Sequence, residues 1–126
     1  MDNKLEDAFA LRWPKWFRGL NQSPTQSCLA FGFECGDGWR DLLWDLCCDI
    51  QNLNPPPDFE VSQVKEKFGG LHFYTSGGSN EISDRIHRAE ADSYDICERC
   101  GSREGVTLNE SGWLSTRCAK CREGKE

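Results

Sequence analysis

The sequence predicts an α+β protein: a small body of helices and one β-hairpin over residues 1–96, carrying a C-terminal four-cysteine ribbon over residues 97–126. Three observations predict it. Two stretches repeat apolar residues at helical spacing. One stretch alternates β-prone residues on either side of a glycine pair. Two Cys-x-x-Cys pairs then bracket the last thirty residues.

The first helix is expected near the start, where Leu5 and Phe9 share a face until Pro14 interrupts the pattern. Trp13, Trp16 and Phe17 follow as an aromatic knot, read as a lid over a core because large aromatics dominate burial energetics. Residues 21–27 read as a loop, and the apolar run Cys28–Cys35, broken by Gly32, as a short strand or extended segment.

The clearest helix spans 37–53, with Asp37 as its N-cap. Trp39, Leu42, Leu43, Leu46, Ile50 and Leu53 fall on one face. Asp41, Asp45 and Asp49 fall on another, a candidate acidic face for a partner. A plain solvated face is the simpler reading. Pro55-Pro56-Pro57 ends the helix in a stiff spacer.

Residues 58–67 and 71–75 then pair as a β-hairpin turning at Gly69-Gly70. A second amphipathic helix covers 81–96, capped by Ser79 or Asn80, with Ile82, Ile86, Ala89, Ser93 and Ile96 at the helical period. It leads directly into Cys97.

The pairs Cys97/Cys100 and Cys118/Cys121 have the spacing of a structural zinc site. Each tight Cys-x-x-Cys turn aims two thiolates at one point, and two turns complete a tetrahedron. Gly101 supplies the backbone conformation such a turn needs. Between the pairs, Val106–Leu108 and Trp113–Ser115 read as strands joined by a turn at Asn109-Glu110-Ser111-Gly112. This is a zinc ribbon, or a treble clef cut short, since five residues after Cys121 are too few for a closing helix. Four thiolates fill the shell of one Zn2+ and leave no position for water, so the ion is expected to be structural. Cys28, Cys35, Cys47 and Cys48 match no ligand spacing and read as small buried hydrophobes.

Charge and composition narrow the function. The chain carries 15 basic and 21 acidic residues, a net charge of −6. Residues 1–96 hold 9 basic against 16 acidic side chains, and 97–126 hold 6 against 5. An acidic body repels phosphate backbones. A nucleic-acid reading therefore rests on the ribbon, where Arg99, Arg103, Arg117, Lys120 and Arg122 would touch phosphates and Trp113 would stack on a base. No apolar run is long enough to span a bilayer, and the acidic start lacks the apolar core of a secretory signal, so a cytoplasmic location is expected. No nucleophile elbow, phosphate loop or metalloprotease motif is present, and neither His72 nor His87 belongs to a triad, so a non-enzyme is expected.

Three segments together resemble a family of small bacteriophage and prophage proteins: Phe33-Glu34-Cys35-Gly36-Asp37-Gly38-Trp39, the hairpin motif VKEKFGGLHFY from Val64 to Tyr74, and the Cys97–Cys121 ribbon. Arg commonly stands in that family where His72 stands here. The resemblance implies a phage-encoded protein that binds and disables a host or defence protein, with a CRISPR complex as one such target.

Overall fold

A computed structural model describes residues 1–109 and 113–123. Among them the architecture is α+β: helices α1 (Asn3–Arg12), α2 (Arg40–Asn52), α3 (Asn80–Asp92) and α4 (Ala119–Glu123), with two antiparallel hairpins, β1 (Glu60–Lys67) with β2 (Gly70–Ser76), and β3 (Val106–Leu108) with β4 (Thr116–Cys118).

The N-terminal third is organised around one ring. α1 is capped by Asp2, whose carboxylate accepts the Lys4 amide. It delivers a fully buried Phe9, whose ring lies 5.1 Å from both Phe33 and Trp44 and 5.7 Å from Phe17. The expected aromatic knot is part of the core. Phe17 is fully buried, and Trp13 stacks on Trp16 at 5.6 Å while its indole N–H donates to Gln51. Edge-to-face and offset ring pairs of this kind contribute about 0.5–1.5 kcal/mol each beyond the area they bury.

The segment Cys28–Phe31 is a 3-10 turn and not the expected strand. Ser27 caps the turn by accepting the Leu29 amide, and Gly32, at φ +81°, bends the chain away from an extended path. Of the run to Cys35, Glu34 alone makes a bridge, parallel to Lys65 of β1.

Helix α2 buries Leu42, Leu43, Leu46, Cys47 and Ile50, as its periodicity requires. Asp37 does not cap it. The chain enters through a 3-10 turn, Asp37–Trp39, and the Asp37 carboxylate instead accepts the Asp2 amide at 2.8 Å. This ties the start of α1 to the start of α2.

The β1–β2 hairpin turns at Phe68-Gly69, one residue before the expected glycine pair, and Gly70 is already the first residue of β2. Val64 and Phe73 pair on the buried face, and Lys65 and His72 pair on the other. Side chains of the third helix segment cover the free edge of β2: the Leu71 amide donates to the Ser93 hydroxyl and the Phe73 amide to Glu90. Ser93 also donates to the Glu90 carbonyl. These bonds end α3 at Asp92, and Ser93–Asp95 tighten into a 3-10 turn, so the predicted helix stops before Ile96. Ser79 is the N-cap of α3, accepting the Ile82 amide.

In the C-terminal ribbon, the second strand begins at Thr116, later than the predicted Trp113–Ser115. The predicted turn residues Glu110, Ser111 and Gly112 lie outside the described residues. The chain does close on a short helix, α4, despite the few residues that follow Cys121, because the helix starts before that cysteine and includes it.

A candidate four-cysteine metal centre

Cys97 and Cys100 sit on a tight turn. The Gly101 amide donates to the Cys97 carbonyl at 2.9 Å, and Gly101 has the positive φ, +83°, expected of the residue that closes such a knuckle. Cys118 ends β4 and Cys121 lies in α4, so the second pair is presented by a strand end and a helical turn in place of a second tight turn. A contact across the β3–β4 hairpin holds this arrangement: the Ala119 amide donates to the Gly105 carbonyl, fixing the start of α4 against the loop before β3.

The four sulfur atoms all lie within 4.8 Å of one another. A tetrahedral tetrathiolate centre with metal–sulfur bonds of about 2.3 Å requires sulfurs about 3.8 Å apart. Cys100 and Cys118 are separated by 3.7 Å, and no cysteine of the chain is in a disulfide. The donor set therefore fits a metal ion. Electrostatics point the same way. Burial works to raise the Cys97 thiol, but the amides of Cys118, Cys100 and Arg99 outweigh it and bring the group down to about 6. Cys121 is pushed up to about 12, by burial and then by the sulfurs of Cys118, Cys100 and Cys97. Four thiolates in this space repel one another, and a bound divalent cation removes that penalty.

The knuckle is fastened to the body by hydrogen bonds that each use at least one backbone group. The Gly36 amide donates to the Glu98 carboxylate and the Gly38 amide to the Glu98 carbonyl, both at 2.8 Å. The buried Trp39 indole donates to the Ile96 carbonyl at 3.0 Å. A side chain at position 38 would fall 2.2 Å from the Cys97 carbonyl oxygen, so only glycine permits this approach. Burial raises the Glu98 carboxyl, an effect the Gly36 amide opposes. Glu98 lies between Cys97 and Cys100, in a position that no motif marks.

The predicted basic residues of the ribbon do not form one face. Arg122 turns inward: its guanidinium donates to the Thr107 and Ser115 carbonyls and clamps β3 to the chain leading into β4. Arg117 is half-buried and shares a cleft with Arg99, Glu98 and Asp37. Arg103 lines a different cleft, with Asp37, Asp41, Asp45 and Arg85. Lys120 is exposed. Trp113 is 86% exposed and lies beside Lys65, Lys67 and Phe68 of the hairpin.

The acidic row of α2 is exposed, as predicted, but it is not an uninterrupted stripe of free charge. Asp49 accepts from Arg85 at 2.7 Å and Asp41 from Arg40 at 2.8 Å. Of the remaining cysteines, Cys35 and Cys47 are buried, Cys48 is half-buried, and Cys28 departs from expectation by being exposed. His72 stands on the outer hairpin face with its ring 6.0 Å from that of Tyr74, and His87 is exposed on α3. No helix among the described residues is long and apolar enough to cross a membrane. No protein-family model, curated protein or solved structure matches the chain.

Proposed function

We propose that the chain is a zinc-stapled, non-catalytic binding protein that acts in the cytoplasm by protein–protein contact. The observation that carries the metal assignment is the set of four cysteine sulfurs within 4.8 Å of one another. Zinc is the ion that two Cys-x-x-Cys pairs at this separation, forming a tetrahedral all-thiolate set, most commonly hold. The four thiolates close the shell, which gives the ion a structural role. Contact with a protein is supported by aromatic side chains left on the surface, Phe68 at 67% and Trp113 at 86% exposure, where a monomer gains little from them. The resemblance to phage proteins gives this reading its specific form: a phage-encoded inhibitor of a host defence complex such as a CRISPR complex.

Two measurements test it. Native mass spectrometry of protein purified without added metal is expected to show one zinc ion per chain, lost on chelation together with the ribbon's structure. Absence of zinc removes the metal assignment. Affinity capture from host lysate is expected to recover a stoichiometric protein partner, and recovery of none counts against the binding role.

A nucleic-acid-binding regulator is the second reading, favoured by the exposed Trp113 beside two lysines. The inward turn of Arg122 removes one of its predicted phosphate contacts. Binding to oligonucleotides that weakens steeply with salt would support it.

A further inference from the structure

The turn of the β1–β2 hairpin holds an unusual residue. Both residues of its two-residue loop have positive φ, +55° at Phe68 and +86° at Gly69, as a type I′ turn requires. Asn or Gly ordinarily takes the first of these positions. A bulky aromatic there is a steric outlier, and such outliers cluster at binding sites. The core does not compensate for it, since the Phe68 ring is 67% exposed. Asparagine would serve the fold better, so the ring's use lies outside the chain.

Its surroundings indicate the use. Phe68, Trp113 and Leu114 line one cleft of about 480 Å³, together with Lys65, Lys67 and Glu66. The Lys67 ammonium lies 5.7 Å from the Phe68 ring centroid. The cleft's carboxylate is engaged within the turn, because Glu66 accepts the Gly69 amide at 2.7 Å. Among the described residues neither Lys65 nor Lys67 is in an ion pair. An apolar cleft with a cationic rim thus stands on a protein whose net charge is −6.

We infer that the cleft between Phe68 and Trp113 docks an acidic segment of a partner protein, which inserts an apolar side chain beside the two rings and sets its carboxylates against Lys65 and Lys67. The inference rests on the protein-binding reading above and gives it a surface and a partner chemistry. Exposed aromatic anchors at a pocket are where binding energy concentrates, and a charged rim sets register and association rate. A single strand of nucleic acid would also meet rings and lysines. It would do so beside the apolar wall of Leu114, with a charge on every nucleotide facing an acidic molecule.

The test pans the zinc-loaded full chain against a displayed library of random peptides, with Phe68→Asn in parallel. Enriched peptides are expected to carry Asp or Glu flanking a large apolar residue. As synthetic peptides they should bind Phe68→Asn roughly tenfold or more weakly, although that variant melts no lower than the parent. Lys65→Glu with Lys67→Glu should weaken binding and flatten its salt dependence. Enrichment of peptides without carboxylates, equal binding by Phe68→Asn, or no enrichment over that variant overturns the inference. So does binding of labelled oligothymidylate that Phe68→Asn abolishes, which reassigns the cleft to nucleic acid. If lysate capture recovers the same partner with both proteins, this surface is wrong while the protein-binding reading stands. If neither protein captures a partner, that reading falls and takes the inference with it.

Discussion

The hydroxyl of Thr116, a residue with no exposed surface, donates to the carbonyl of Gly69 across 2.6 Å. This bond joins the second strand of the ribbon to the tip of the body's hairpin. A side chain at position 69 would fall 2.3 Å from a Leu108 methyl, which shows how closely the tip approaches β3. The ribbon therefore seats on the body both through the knuckle, against Gly36 and Gly38, and through its strands, against Gly69.

Thr116→Val keeps the shape and removes the donor. The Gly69 carbonyl loses its buried partner, so stability is expected to fall by about 1–2 kcal/mol. A lower urea midpoint with an unchanged slope would verify this. An unchanged midpoint would mean the bond contributes nothing to docking.

Arg122 and Lys120 are neighbours on α4 with different expected consequences. Arg122 reaches two carbonyls at once, a fork that lysine cannot reproduce. Arg122→Lys is expected to cost about 1–2 kcal/mol and to hasten metal loss to a chelator, because α4 also carries Cys121. Lys120→Ala is expected to stay within about 0.5 kcal/mol of the parent. Equal chelation rates for the two variants would refute the clamp.

Glu6 is buried, and its carboxylate accepts the Phe33 amide at 2.7 Å. Glu6→Ala strands that amide in the core and is expected to cost about 1–3 kcal/mol. Glu6→Gln keeps an acceptor oxygen and should cost less. Thermal denaturation of the two variants side by side distinguishes them, and the order Ala below Gln is the prediction.

Alkaline pH should loosen the body. Burial pushes the Cys35 thiol up from 9.0 to about 12, and it raises Cys47 in the same direction. Below about pH 9 both folded and unfolded chains keep these protons, and the stabilising contribution is complete. As pH rises from there toward about 12, the unfolded chain releases the Cys35 proton that the native state retains, and stability falls by about 1.4 kcal/mol per pH unit for that thiol, with Cys47 adding in the same direction. Urea midpoints measured from about pH 8 to about pH 10 should show the decline, and Cys35→Ala should make it shallower. An identical slope in that variant would assign the loss to other groups.

Much of this architecture was legible in the chain. The spacing of Leu42, Leu43, Leu46 and Ile50 determined the buried face of α2, because a 3.6-residue period leaves those side chains no other common direction. The spacing of Cys97, Cys100, Cys118 and Cys121 determined the metal-site candidates, because two intervening residues keep the thiols of each pair within reach of one point. Contacts across long stretches of sequence were decided only by the tertiary structure. Cys28–Phe31 turned instead of extending once Ser27 and Gly32 set the backbone there. Asp37 left its expected cap to bind the start of α1, and Arg122 turned from solvent to two carbonyls. The last two outcomes are competitions for hydrogen-bond partners distant in sequence, which local pattern does not encode, while the turn at Cys28–Phe31 is a local cap that the apolar run concealed. The same holds for the cleft of Phe68 and Trp113. The sequence contained both rings, and the docking of one hairpin on the other made them neighbours.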